Sequence, residues 1–525
     1  MTAQELNTYI NSVLGNSIRC LLPSYWWKRL LTRIVEYVYE VDVKVDAAYN
    51  SIRGLLGFTI TTGEGEAIVY ADKNKIVIPA NSIRKVNFLN NFYFTYSGGT
   101  SVVAIDTSMA STSNVTSMRD MFQGCKNLTL LDVSSFDTSK VSDMSTMFSN
   151  CTNLTSLDVS NFKTSNVRDM SWMFNGCRNL SSLDVSNFDT SKVTNIYCMF
   201  AYCSSLTSLD LSNFNTSNVK NMDGVFDYCT GLTFLNISNF DTSNVSNFNG
   251  MFEYCKSLET LDVSHFDTSK AESMCYMFRY CESLETLDVS NFNTSNVSEM
   301  WDMFRYCKKL TSLDLSNFDT SNVTLMNSMF YGCENLSSLD LSSFDTSKVT
   351  KMYDMFADCS SLTSLDLSNF NTSNVKNMDG MFSCVFSNRS NLSSLDLSNF
   401  DTSKVTSMAN MFWYCNNLIS LDLSSFDTSS VKYWYRMFQD CDNLTYLTLG
   451  EGFFKSSATE IDFSYLLNWN EDSFIQSVVV NSYDRASNEL PTLEVILHSN
   501  VYAYLTDEHK ATLTAKGYTI TTAGE

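Results

Sequence analysis

From residue 114 to about 449 the chain repeats one arrangement of apolar and polar positions every 26 residues. One period reads Val141-x-x-Met144-x-x-Met147-Phe148-x-x-Cys151-x-x-Leu154-x-x-Leu157-x-Val159-x-x-Phe162. The anchor Phe recurs at 122, 148, 174, 200, 226, 252, 278, 304, 330, 356 and 382. A four-residue slip to Phe386, within Ser-Cys-Val-Phe-Ser-Asn-Arg-Ser, precedes Phe412 and Phe438. Apolar spacing of three and four in the first half predicts a short helix or helical turn. The alternation in Leu-Asp-Val-Ser predicts a half-buried strand. Asp-Thr-Ser-Asn and Asp-Thr-Ser-Lys supply short polar side chains for the corners, where they satisfy backbone amides. No single rung can bury its own apolar side. The pattern therefore predicts a solenoid of about thirteen stacked rungs, each a strand plus a short helical turn. Parallel strands ~4.8 Å apart would make it on the order of 60 Å long.

The flanks break the period. After Pro23 a heptad runs through Trp27, Leu31, Ile34, Val38, Val41, Val45, Ala48, Ile52 and Leu55. Residues 1–57 are read as a helical attachment or oligomerisation segment: a coiled coil over about 27–55, or an amphipathic helix on the chain's own core. β-Branched residues at both seam positions favour a trimer. Residues 58–113 alternate apolar and polar and predict a small β-module or an N-terminal cap for the solenoid. Residues 450–525 predict an α/β cap: a strand at Leu493-Glu-Val-Ile-Leu, a capped helix after Thr506 and a last strand at Tyr518-Thr-Ile-Thr.

Composition narrows the function. The 525 residues are 44% hydrophobic and 13% aromatic, with three prolines and three histidines. A formal charge of −22 disfavours nucleic acid and anionic membranes as partners. No run reaches the roughly 18 apolar residues of a membrane span. The opening residues lack the basic and apolar regions of a secretory leader, so no leader is expected. No Gly-rich phosphate loop or nucleophile elbow stands out, and no catalytic residue and no cofactor are expected.

Stacking turns each repeated residue into a column. Cysteine follows the anchor Phe by three in twelve rungs, from Cys125 to Cys441, with Arg389 in its place in the interrupted rung. A disulfide framework is one reading and a column of small buried thiols the other. Aspartate recurs in Leu-Asp-Leu/Val, for example at Asp262, Asp288, Asp314, Asp340 and Asp366. Those carboxylates would stand about 5 Å apart on the outward face and repel one another. Hydrogen bonds from nearby Ser and Thr, a basic partner or bound calcium would relieve them, and one Asp per rung is thin coordination for calcium.

The informative positions are those that vary. Around the anchor Phe they are aromatic: Trp172, Tyr197, Tyr202, Tyr228, Tyr254, Tyr276, Tyr280, Trp301, Tyr306, Tyr331, Tyr353, Trp413, Tyr414 and Tyr435. Stiff amphipathic rings suit a contact surface, including one that stacks on sugars. The same tyrosines could instead stack on one another as a stabilising ladder.

The segments LTSLDVSNFDTSNV and LTSLDLSNFDTSNV make residues 114–449 resemble the BspA-like leucine-rich repeats of bacterial surface proteins and Mycoplasma lipoprotein-associated repeats. That resemblance implies a leucine-rich-repeat-like solenoid used in adhesion or partner binding. Residues 16–38, NSIRCLLPSYWWKRLLTRIVEYV, are similar to the N-terminal leader of tail-fibre-like virion proteins of crAss-like gut phages. This implies attachment to other virion proteins and a trimeric fibre or spike made in the host cytoplasm. The leading expectation is a phage virion protein whose solenoid binds a host-surface polysaccharide or protein. A bacterial cell-surface adhesin or protein-interaction scaffold is the alternative, and a solenoid that only decorates the particle a third.

Overall fold

In a computed structural model, residues 112–387, 392 and 394–523 are described in full, together with the backbone of five short strands between residues 70 and 111. The expected coiled-coil residues lie outside the described residues. The chain divides into two compact units, residues 1–244 and 245–525, each a repeat solenoid. The first unit carries the five 26-residue rungs that begin at Val115, and the second the eight that begin at Val245.

Nine positions of each rung face inward: Val, Met, Met, the anchor Phe, Cys, Leu, Leu, Val or Leu, and a second Phe. They are almost wholly buried from Val115 to Phe240 in the first unit and from Val245 to Phe438 in the second. Identical residues meet across rungs. The anchor Phe rings stack at 5.5 Å for Phe122–Phe148 in the first unit and at 5.6 Å for Phe252–Phe278 in the second. Each such pair contributes roughly 0.5–1.5 kcal/mol beyond its buried area.

The half expected as a helical turn is a chain of β-turns. Met121 N–H donates to Met118 O, Gln123 to Asp120, Cys125 to Phe122 and Leu128 to Cys125, each three residues back. The alternate amides leave the rung: Met118, Asp120, Phe122 and Gly124 donate to Asp143, Ser145, Met147 and Ser149 of the next one. An α-helix would keep all of these amides inside the segment, bonded four residues back. Spacing of three and four does not distinguish the two arrangements, because both return a side chain to one face every three or four residues.

The strand half pairs in parallel, as Ser208–Asp210 with Phe234–Asn236 and Ser420–Leu423 with Tyr446–Leu449. In the first unit Ala104–Asp106 pairs with Leu130–Asp132 at the same 26-residue offset, and Lys75–Val77 pairs with Ala104–Asp106. The strand stack therefore begins before the first Val-led rung.

Side chains complete the bonding between rungs. Thr268 Oγ1 donates to Asn293 O at 3.0 Å and accepts from Asn293 N–H at 2.7 Å, and the Thr column repeats this at Thr190, Thr346 and Thr402. Asn187 Nδ2 donates to three carbonyls of the preceding rung, those of Val159, Ser160 and Phe162. The cysteines are free thiols, and all but Cys384 are buried among the described residues. Column cysteines donate from sulfur to the anchor Phe carbonyl of the rung before, as Cys151 does to Phe122 O at 3.2 Å and Cys281 to Phe252 O at 3.1 Å. Burial pushes the Cys177 thiol up to about 12. A small buried thiol with a weak donor thus suits this place, and no disulfide framework is built from the column.

The interrupted rung keeps its register through Phe382, which stacks on both Phe356 and Phe412. Val385 donates to Phe382 O and is fully buried, so Val385, and not Arg389, occupies the cysteine column there. Phe386 O accepts from Asn417 N–H, the bond Lys126 O makes with Asn153 in a regular rung. The four extra residues fall between Phe386 and buried Leu392.

The end of the second unit is built from parallel strands at Glu460–Phe463, Leu493–Leu497 and Tyr518–Thr522 and a helix at Asp507–Ala515, capped by Thr506. Arg485 is fully buried with no carboxylate partner among the described residues, and donates instead to the carbonyls of Phe454, Ser456, Ala458 and Pro491.

The Thr column yields a test. Thr268→Val keeps the shape, removes one hydrogen bond and leaves Asn293 N–H without its acceptor. It is expected to cost about 2–4 kcal/mol in urea unfolding, with Thr268→Ser losing under about 1 kcal/mol. Equal stability of Thr268→Val and the parent would refute the assigned bonding.

Candidate functional site: the turn-side aromatic face

The chain of turns fixes which side chains leave the core. Two positions per rung, five and nine residues after the leading Val, have positive φ. Each is the third residue of a four-residue turn, where φ > 0 defines a type II turn and favours Gly or Asn. Several rungs meet that demand with Gly124, Asn150, Gly176 or Gly332 at the second position. Tyr202, Tyr228, Tyr254, Tyr280, Tyr306 and Tyr414 occupy the same position at φ between 56° and 61°. A non-glycine residue pays roughly 1–2 kcal/mol for that conformation.

The expected aromatic residues fall into a few neighbouring columns. In the first unit Tyr202 and Tyr228 stack at 4.6 Å, and Trp172 meets Tyr197 edge-on at 5.2 Å. In the second, Tyr254–Tyr280 and Tyr280–Tyr306 stack at 4.3 and 4.6 Å, and Tyr331 closes the row edge-on against Tyr306 at 4.9 Å. A Cβ at Gly332 would come within 2.5 Å of Tyr306 Cδ1, so glycine there lets the last ring lie flat. Tyr276 and Trp301 form a second aromatic pair, edge-on at 4.1 Å. Tyr353 is half-buried, and its phenol is pushed up by burial, with Asp302 and Asp354 adding. Trp413, Tyr414 and Tyr435 sit on the last two rungs.

Charged residues that the sequence did not single out join these columns in the second unit. The Arg279 guanidinium lies 5.0 Å from the Tyr276 ring and 5.4 Å from the Tyr280 ring. Arg305 lies 4.3 Å from Tyr331, and Lys256 spans Tyr254 and Tyr280 at 5.5 and 5.4 Å. Asp302, only 4% exposed, receives Arg279 at 3.4 Å and Arg305 at 3.5 Å. Burial outweighs both arginines and raises its pKa. Beyond the tyrosines, Lys256, Glu282, Lys308 and Glu334 alternate in sign and pair in sequence at 2.9, 3.4 and 3.8 Å. The signal for these residues was present in the sequence, since Arg279 and Arg305 directly precede column tyrosines. The repeat pattern alone does not say that the two columns adjoin.

The strand-side aspartates behave differently. Asp262 Oδ1 accepts from Ser264 N–H at 3.0 Å and from Ser264 Oγ at 2.7 Å, and Asp288 and Asp314 do the same with Ser290 and Ser316. Asp340 and Asp366 accept from the amides of Ser342 and Ser368. These bonds lower the pKa of Asp262, Asp314, Asp340 and Asp366. Each aspartate therefore closes its own local turn. Among the described residues no group of three or more His, Cys, Asp or Glu side chains could hold a metal ion, and no helix is long and apolar enough to cross a membrane.

Asp354 is the most perturbed carboxylate of the face: burial raises it to about 6, Arg305 opposes this, and Asp379, Asp302 and Asp358 reinforce it. A folded-state pKa above the unfolded value of about 3.9 means that the folded protein takes up the proton first as pH falls. The burden on stability is thus full above about pH 6 and relieved between pH 6 and 4. Asp354→Asn is expected to be more stable than the parent at pH 7.5, by on the order of 1–3 kcal/mol. The difference should close by pH 4 in chemical denaturation. A pH-independent difference would show that Asp354 is not the titrating group.

Comparison with known proteins places the repeat. No curated protein matches the chain. Among solved structures, a leucine-rich repeat protein from Bacteroides ovatus aligns at 18% identity and TM-score 0.35, over 75% of this chain and 95% of its own. The TLR13–ssRNA13 complex aligns at 16% identity and TM-score 0.16, over 69% and 71%. Residues 90–208, 152–235, 231–313, 310–393 and 383–451 match the family described as Mycoplasma protein of unknown function, DUF285. Those segments span the repeat and the strand that precedes its first Val-led rung. The chain is a member of the DUF285 family.

Proposed function

We propose that the chain is a non-catalytic recognition protein whose turn-side aromatic face meets a ligand on a cell surface. The observation that carries this reading is the placement of tyrosine where the backbone favours Gly or Asn. Stacking returns about 0.5–1.5 kcal/mol per pair, against roughly 1–2 kcal/mol for each left-handed residue. Stability therefore gives little reason to keep tyrosine there, and strain held at a surface is a mark of function. The arginine and lysine contacts hold the rings in place before any ligand arrives, which cuts the entropy lost on binding.

The phage-type leader at residues 16–38 supports a virion as the carrier, with the solenoid meeting a polysaccharide or protein of the host surface. The repeat on its own supports the adhesin or scaffold alternative. A heptad over about 27–55 with β-branched seam residues supports a trimer in either setting.

Two measurements test this. Labelled full-length protein is expected to bind cells of at least one isolate in a panel of gut bacteria. The triple variant Tyr254→Asn, Tyr280→Asn, Tyr306→Asn should lose at least ~10-fold in affinity, about the loss of one hot-spot residue, while its melting temperature moves by only a few degrees. Binding that survives the triple change would remove the tyrosine face from the recognition surface. Size-exclusion chromatography with light scattering is expected to give a trimer for the full chain and a monomer for residues 58–525. A monomer in both cases would reject the N-terminal coiled coil.

A further inference from the structure

The aromatic residues are not equivalent as ligand platforms. Tyr280 is covered on both faces, by Tyr254 and Tyr306 at 4.3 and 4.6 Å. Tyr306 is covered by Tyr280 and by Tyr331. A flat ligand that stacks on a ring needs an open face, and these rings offer edges and hydroxyls. The last two rungs are different. Trp413 and Tyr414 are 36% and 41% exposed, and among the described residues their only ring contact is with each other, tilted at 6.1 Å between centroids. Tyr435 is 61% exposed and makes no ring contact among the described residues. The three are tied into adjoining rungs: Tyr414 N–H donates to Gln439 O, Asn410 N–H donates to Tyr435 O, and Trp413 Nε1 donates to Asp440 Oδ2 at 3.2 Å.

Resting on the recognition reading above, we propose that Trp413, Tyr414 and Tyr435 form the carbohydrate subsite of this protein, and that it takes a neutral pyranose glycan. A partly exposed indole and two partly exposed phenols offer electron-rich surfaces to the axial C–H groups of a sugar ring. The Asp440 bond fixes the tilt of the indole, so the platform exists before ligand arrives. Asp440 itself has a second carboxylate oxygen to accept a sugar hydroxyl, and Arg436, next to Tyr435 in the chain, supplies donors. A nucleobase could also stack on such rings, but its phosphates would meet a chain of formal charge −22. The same field argues against sialylated, uronic or phosphorylated glycans.

The test is a titration of the full-length protein with neutral gluco-, manno- and galacto-oligosaccharides of four to six residues, followed by tryptophan fluorescence and calorimetry. At least one series is expected to bind. Trp413→Ala should weaken it at least ~10-fold, Tyr435→Ala at least ~3-fold, and Trp413→Phe should retain most of the affinity. Absence of binding to all three series overturns the proposal. So does affinity unaffected in both Trp413→Ala and Tyr435→Ala, or preference for a single-stranded oligonucleotide over the sugars. Cell binding by the parent protein keeps the outcomes apart. If cells are bound but the oligosaccharides are not, the glycan subsite falls and the recognition face stands. If cells are not bound, the broader reading fails on its own measurement.

Discussion

An amide that points along the stack can be satisfied only by the neighbouring rung, and in this protein every second amide of the Met-Phe half does so. That constraint forces the backbone into a repeating pair of conformations. One amide turns back three residues, and the next reaches forward to the carbonyl 25 residues on. The two left-handed residues per rung follow from it, because the chain can alternate in this way only if one residue in each type II turn has positive φ. The strict 26-residue period follows as well. Extra residues between the Thr, the Phe and the Cys of a rung would take the Thr hydroxyl, the Cys thiol and the Phe ring out of line with their partners. Where four residues are added, between Phe386 and Leu392 in the sequence, the register holds on either side, with Phe382 stacked on both Phe356 and Phe412.

The same geometry separates what the sequence makes legible from what it hides. Inward positions were readable because burial demands apolar side chains at fixed spacing, and Val, Met, Phe, Cys and Leu obey it in rung after rung. The thiol column was readable for the same reason. Helical turn and β-turn chain were not separable from spacing alone, since periodicity reports which face a residue takes and not where its amide points. Gly, Asn and Asp recurring four residues apart were a signal of left-handed backbone, but tyrosine in the same column masked it. The contact of Arg279 with Tyr254 brings together residues twenty-five apart, and that adjacency exists only once the rungs are stacked. The strand-side aspartates look like a charged column in sequence. In three dimensions each carboxylate is occupied by the serine two residues on.

The residues of a repeat protein answer two demands that act at different positions. Most are held by the stack, and a change there disturbs two neighbours. Those at the turn positions answer first to the backbone rule, which asks for Gly or Asn and tolerates others at a cost. Tyrosine at these sites therefore records a preference that the fold does not supply. In the second unit that preference comes with Arg279, Arg305 and Lys256 packed against the rings, so the row is braced as well as aromatic.

Bracing and openness are opposed. A ring clasped between two others is rigid and well placed, but its faces are spent, and it can meet a partner only through its edge and hydroxyl. A ring at the end of the stack keeps its faces at the cost of greater freedom, unless something else holds it. Asp440 supplies that restraint to Trp413 through the indole N–H. One backbone rule can thus serve two kinds of contact: a fixed row of hydroxyl edges where identical residues adjoin, and open ring faces where the run of tyrosines is broken.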